Sequence, residues 1–191
     1  MDTPHGPLWE GVRADIVSVR VMELHSDGIV LRSWHPGDAA RVFEVCQDPQ
    51  IQHWLPTLPR PYREADARGF VTDALGLGPY QLAVVEAGSV VGSVGLHLAK
   101  HETGGIGYWC APEARGRGLT TRAVRMLCRY GLVELRLERL QLTTDVDNCA
   151  SQRVAEKVGF RREGVIRSHL RDPNGQRRDS ALFSLLSGEL P

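Results

Sequence analysis

Arg115, Gly116, Arg117 and Gly118 follow a strand-like segment, residues 106–111, and open a long amphipathic segment that continues to residue 134. A turn of this kind leaves backbone N–H groups without intrahelical partners, at the positive end of the helix dipole. Glycine at 116 and 118 lets a ligand approach the backbone with no Cβ in the way. Arg115 and Arg117 add charge suited to phosphate oxygens. The chemistry this permits is the grip of a phosphate or pyrophosphate. The same letters also fit a basic surface turn. A fragment of an RNA-binding Arg/Gly tract fits less well, because the run is single and sits between a strand and a helix. The glycine spacing matches neither the Rossmann nor the Walker signature.

The composition narrows what the rest can be. With 191 residues, 42% hydrophobic and 24% charged, the chain predicts a single globular domain, residues 14–191, behind a loose tail at 1–13. Zero net charge gives no global support for nucleic-acid or anionic-membrane binding. No apolar run approaches the ~20 residues of a membrane span, and the N-terminus lacks the order of a signal peptide. A cytoplasmic location is expected. Cys46, Cys110, Cys128 and Cys149 never form C-x-x-C, and the seven histidines are dispersed, so neither a disulfide framework nor a metal is implied.

The elements that must position the loop are legible as period-2 and period-3.6 runs. Strands are expected at residues 15–25 and 29–34 as a hairpin, at 80–86, 90–98 and 106–111 as a meander, and at 139–146, 160–171 and 177–186. Helices are expected from Pro36-Gly37-Asp38 to Asp48-Pro49, then at 63–75, 117–134 and 149–158. The first should bury Ala39, Val42, Phe43 and Cys46, and the second Ala67, Phe70, Val71 and Ala74. The long third helix should bury Leu119, Ala123, Met126, Leu127, Tyr130 and Val133 and turn Arg122, Arg125 and Arg129 to water. Four prolines between 49 and 61 predict only short turns there, with His53 and Trp54 as candidate walls of a binding site. The order is α+β, without βαβ alternation at its start.

Arg115-Gly116-Arg117-Gly118-Leu119-Thr120 resembles the Q/R-x-x-G-x-G/A acyl-CoA loop of the GNAT acyltransferase superfamily. The surroundings are similar to its ribosomal-protein N-terminal acetyltransferase branch, the RimJ/RimL type. That likeness rests on Leu31-Arg32 with Asp38, on Gly107-Tyr108-Trp109-Cys110-Ala111-Pro112, on Asn148-Cys149-Ala150-Ser151 and on Gly159-Phe160, in the expected order over residues 28–188. The resemblance implies a mostly antiparallel mixed sheet of about seven strands, with two parallel strands splayed apart to form an acyl-CoA cleft. Trp109, Cys110 and Ala111 would then offer backbone partners to pantetheine, and residues 115–121 would cradle the pyrophosphate. Asn148, otherwise an ordinary N-cap, would lie near pantetheine. Lys157 would face the ribose phosphate or adenine, or else simply water, as would Arg153. Ser151 would donate to the departing sulfur, in place of the tyrosine that falls at Ala155. Cys110 has nothing nearby in sequence to lower its pKa, so direct attack in a ternary complex is expected rather than an acyl-enzyme.

Two departures bear on mechanism. Thr120 stands where the loop usually ends in Gly or Ala. Gly105 stands where many relatives carry a glutamate that deprotonates the amine. His97 is the substitute candidate, beside the plain reading of a packed strand histidine. An α-amine of pKa 7.7–8.0 is roughly a third neutral near pH ~7.5, against ~0.1% for a lysine near 10.4. A site without a strong base therefore suits α-amines. The leading expectation is an acyl-CoA-dependent N-acyltransferase with acetyl-CoA as donor and a protein or peptide N-terminus as acceptor. A small-molecule amine as acceptor, and a non-catalytic acyl-CoA sensor, are the alternatives. The long C-terminal strands also allow a homodimer.

Overall fold

The computed structural model describes residues 22–26, 28–73, 76–172 and 174–190. The expected tail at 1–13, most of the strand begun at residue 15, and Ala74 lie outside them.

Eight strands form one sheet in the order β1-β2-β3-β4-β5-β6-β8-β7. They are β1 Glu23–Ser26, β2 Ile29–Arg32, β3 Gln81–Glu86, β4 Ser89–Ala99, β5 Thr103–Cys110, β6 Arg139–Asp145, β7 Arg161–Arg171 and β8 Arg177–Leu186. The eight follow in order the eight strands expected from the sequence, one more than the seven or so that the resemblance implies. Every neighbouring pair is antiparallel except β5 and β6. Those two pair in parallel at only three positions, Thr103 with Arg139, Gly104 with Leu140 and Gly105 with Gln141. Beyond Gly105 they diverge, β5 following β4 to Cys110 and β6 following β8 to Asp145. The facing edges of 106–110 and 142–145 are left open, which is the splayed pair expected.

Helices α1 (Ala39–Val45), α2 (Pro49–Trp54) and α3 (Glu64–Val71) lie between β2 and β3, and α4 (Leu119–Arg129) and α5 (Cys149–Val158) flank β6. α1 buries Val42 and Val45, followed by Cys46, while Ala39 and Phe43 are only half-buried. α2 was not anticipated. Pro49 does not end a helix here but starts one, because a first-turn residue has no intrahelical N–H partner to lose. Asp48 accepts from Ile51 N at 2.9 Å and caps it.

α4 packs across β4 and β5 and against α5. It starts at Leu119 rather than Arg117, because Gly118 at φ +77° cannot continue a right-handed helix backward. The expected stripe holds for Leu119, Ala123 and Leu127, joined by Val124 and Cys128. It then breaks. Residues Tyr130–Glu134 form a π-helical turn in which Leu135 N donates to Tyr130 O. The wider turn rotates the register, so Leu132 is buried and Val133 stands 57% exposed.

Outside the site, β6, β7 and β8 are tied by Arg139, whose guanidinium grips Glu163 at 2.8 and 2.6 Å, with Ser184 Oγ donating to the same carboxylate at 2.7 Å. The Arg139 bonds, then that of Ser184, hold the Glu163 carboxyl at about 2, against an ordinary 4.5. A carboxyl depressed by folding stabilises above its unfolded pKa and stops doing so as pH falls through its folded one. Glu163→Gln should therefore lower stability by up to about 1 kcal/mol near pH 7, a value discounted for solvent screening. The gap to wild type should close between pH 4.5 and about 2. Urea midpoints measured across that range check it; a gap that stays constant with pH removes the ion pair as its cause.

Candidate active site

The open edges of β5 and β6 form the floor of a cleft of about 480 Å³. The Arg/Gly loop, the first turns of α4 and α5, α2, and residues of β7 and β8 also line it. Of the residues singled out in sequence, Trp109, Cys110, Arg115, Gly116, Gly118, Leu119, Thr120, Thr121, Asn148, Ser151 and Lys157 all line it, as do His53 and Trp54. The remaining three do not.

Arg117 turns out of the cleft, where it forms a two-point ion pair with Glu86 on β3, both contacts at 2.9 Å. The neighbouring Arg41 pairs with Glu113, so both flanks of the loop are braced from behind. Ala111 is fully buried, and its N–H donates to Val91 O at 2.9 Å. Backbone groups alternate sides along a strand, so those of Trp109 also turn toward β4. It is Tyr108 and Cys110 whose backbone groups face the open edge. The Trp109 ring instead stacks on Trp34 at 6.2 Å.

His97 lies on β4 opposite Gly105. Its Nε2 is 4.0 Å from where a Cβ on cleft-lining Gly107 would stand. Burial pushes its imidazole down, partly offset by a hydrogen bond to the Leu77 backbone, so the ring is neutral at neutral pH. A Cβ on Gly105 would meet only His97 O, at 4.0 Å.

The loop geometry has a clear local cause. Pro112–Ala114 make one tight turn with Ala114 buried, and Gly116 and Gly118 then take φ +75° and +77°. Both values lie in the left-handed region that residues with a Cβ avoid. Neither missing Cβ would touch a protein atom within 4 Å, so the space above each is open. Arg115 reaches across to α2, where it pairs with Asp48 at 2.5 Å and donates to Gln50 Oε1 at 2.9 Å. Burial works against ionisation of Asp48, but its bonds to Arg115 and the Ile51 N–H overcome this and hold the carboxyl below its ordinary range.

Cys110 behaves as expected of a bystander. Burial raises its thiol above the usual value, despite a bond from Thr120 and the nearby Arg115 charge. A protonated thiol is a poor nucleophile. Asn148 caps α5 by accepting from Ser151 N at 3.1 Å. That places Ser151 on the first helical turn, at the cleft and within 2.8 Å of the Tyr108 hydroxyl.

Sequence reasoning missed Tyr108, the β6 wall from Leu142 to Asp145, and the lining residues Leu170, Arg171, Asp172 and Arg178. Arg178 is held there by Asp145 at 2.6 Å and Asp147 at 2.9 Å. Nothing local marks these residues. They reach the cleft through the sheet order, which sets β8 beside β6 and β7 beyond β8.

The family profile described as acetyltransferase (GNAT) domain matches residues 29–161. The chain belongs to the GNAT acetyltransferase family. It is 32% identical over 173 residues to the Bacillus subtilis (strain 168) protein YdaF, provisionally named a ribosomal N-acetyltransferase, covering 86% of this chain and 94% of that one. Among solved structures, a GNAT-family acetyltransferase from Bacillus anthracis superposes with a TM-score of 0.80 at 26% identity, over 88% of this chain and 100% of the other. The fold is shared too with Mycobacterium smegmatis RimJ, solved in complex with CoA-disulfide, at a TM-score of 0.75 and 24% identity over 85% and 84% of the two chains. This GNAT chain is therefore an N-acetyltransferase-type enzyme, which sets aside a purely non-catalytic module. No helix among its described residues is long and apolar enough to cross a membrane.

Proposed function

We propose that this enzyme transfers an acetyl group from acetyl-CoA to the α-amine at a protein or peptide N-terminus, by direct attack in a ternary complex. The observation that carries the reading is the open β5–β6 edge ending in the Gly116–Gly118 turn, an extended slot with an anion grip at one end. In this reading pantetheine pairs with the backbone of Tyr108 and Cys110, a form of β-augmentation. The pyrophosphate rests on the N–H groups from Gly116 to Thr121, with Arg115 and Lys157 supplying charge. Asn148 holds the α5 turn in place, and Ser151 donates to the leaving sulfur. RimJ holding a CoA species in the same fold supports the donor.

The acceptor follows from what the site lacks. Gly105 provides no carboxylate, and His97 is a neutral and at best moderate base. An α-amine needs little such help, whereas a lysine side chain needs several kcal/mol more. The cleft is lined by five Arg or Lys residues (Arg115, Arg153, Lys157, Arg171 and Arg178) against Asp145 and Asp172, which disfavours a polycationic small amine. The free cysteines Cys46, Cys110, Cys128 and Cys149 suit a reducing, cytoplasmic setting.

Calorimetric titration with CoA, acetyl-CoA and succinyl-CoA comes first, with micromolar binding of acetyl-CoA expected. Thiol release is then compared for a peptide with a free N-terminus and the same peptide N-terminally blocked but carrying a lysine. A preference for the free α-amine of roughly 100-fold or more near pH 7.5 is expected from the neutral fractions alone. No CoA binding at high protein concentration would sink the donor assignment, and equal rates on the two peptides would sink the acceptor assignment.

A further inference from the structure

Tyr108 lies on β5 with its side chain on the core-facing side of the strand, opposite Val94. Its hydroxyl has two oxygens within reach, Ser151 Oγ at 2.8 Å and Ser151 O at 3.1 Å. Ser151 is also fixed through its backbone, since Asn148 accepts from its N–H. Both side chains line the cleft. The serine is thus held from two sides by groups on two different elements.

We propose that Tyr108 is the positioning residue for Ser151, directing the serine hydroxyl hydrogen into the cleft toward the sulfur that leaves. This rests on the acetyl-CoA reading above. One phenolic hydrogen can serve only one of the two oxygens at full strength. The carbonyl of Ser151 belongs to the first turn of α5, where the helical ladder brings it the N–H of Ala155. The Oγ has no such supply. When the phenol donates to Oγ, the serine's own hydrogen is released from the tyrosine and can turn toward the cleft. A hydroxyl that accepts one hydrogen bond is polarised into a better donor of the next.

The electron flow needs no proton from either residue. The amine nitrogen forms its bond to the thioester carbonyl carbon. The C–S bond then breaks, and its electron pair goes to sulfur. The ammonium proton leaves to water or to a neighbouring base. The serine hydroxyl donates a hydrogen bond to the sulfur as charge builds there, and the phenol remains protonated throughout. Burial pushes that phenol up to about 12, so it is a far weaker acid than a thiol and keeps its proton. Tyr108 therefore acts through Ser151 and not as the acid.

CoA itself provides the probe, with no acceptor required. The thiolate of bound CoA is followed by its ultraviolet absorbance as pH is raised, for wild type, Tyr108→Phe, Ser151→Ala and the double variant. A hydroxyl hydrogen aimed at sulfur should make bound CoA a roughly tenfold stronger acid than free CoA, as a charge-assisted hydrogen bond allows. Tyr108→Phe should remove most of that gain, and rescue by any residue without a hydroxyl is not expected. In the Ser151→Ala background, Tyr108→Phe should change nothing further, since a positioning residue has nothing left to position. CoA bound with the same thiol acidity in wild type and Tyr108→Phe would overturn the proposal while leaving the acetyl-CoA reading intact. So would equal losses from Tyr108→Phe with and without Ser151. Failure of CoA to bind wild type would instead overturn that reading and this proposal with it.

Discussion

Gly118→Val should weaken acetyl-CoA binding by roughly 100-fold or more while the chain still folds. At φ +77° a residue with a Cβ pays about 1–2 kcal/mol of backbone strain. The added Cβ would meet no protein atom within 4 Å, so the folded chain pays that strain and little else. For a chain of this size the melting temperature should fall by roughly 2–8 °C. The ligand meets a different obstacle. Gly118 lines the cleft as the N-cap of α4, and a branched side chain would stand where a phosphate must approach the N–H groups of the first turn. A hydrogen bond from an N–H to a charged oxygen contributes roughly 1.5–3 kcal/mol, and about 2.7 kcal/mol corresponds to 100-fold in affinity. Calorimetry beside a thermal melt separates the two effects. Wild-type affinity in a variant that melts lower would mean that the turn does not hold the pyrophosphate.

Gly104→Val should cost about 1–3 kcal/mol of stability and spoil the cleft at its vertex. Gly104 pairs with Leu98 on β4 and with Leu140 on β6, at the middle of the three-residue parallel contact. A Cβ there would stand 2.5 Å from Leu96 Cδ1 and 3.2 Å from both Leu137 Cδ1 and Leu140 Cδ2. Those are side-chain ends, but all three leucines are buried and have nowhere to retreat. The strands must separate instead, and the angle at which they splay changes with them. A melting temperature lower by roughly 2–12 °C is expected, with weakened donor binding. Gly105→Ala is the control one residue away, where the new Cβ meets only His97 O at 4.0 Å. It should stay within about 0.5 kcal/mol of wild type. If both variants melt alike, close packing at Gly104 is not what sets the vertex.

Much of the site could be read from sequence because its parts are local. Gly116 and Gly118 declare positive φ through residue type. Asn148 three residues before Ser151 declares a capped helix start, and the Asn148–Ser151 bond at 3.1 Å bears this out. α2 escaped notice because Pro49 carries the same letter whether it stops a helix or begins one. Only the cap at Asp48 separates the two cases. The register beyond Tyr130 escaped for a related reason. The letters YGLVE continue a 3.6-residue period, and the π-helical turn that buries Leu132 in place of Val133 comes from packing against the sheet.

Of the loop's two arginines only Arg115 stays at the cleft. Arg115 and Arg117 are two positions apart and chemically identical in sequence. One reaches α2 and Asp48 inside the cleft wall, and the other reaches β3 and Glu86 behind it. Gly116 between them takes φ +75°, and which way each arginine points depends on partners 67 and 31 residues away.

By itself the amino-acid order determined the α+β class, the run of strands and helices, the glycine turn at 116–118 and the pair Asn148 and Ser151, all through propensities and spacings acting within a few residues. The tertiary structure alone decided that β5 and β6 part after Gly105, that Tyr108 and Cys110 rather than Ala111 face the open edge, and that Tyr108 meets Ser151 across 43 residues of chain. Local preference acts along the chain. Strand order, side-chain direction and the meeting of distant hydroxyls are settled only when the whole sheet closes around one core.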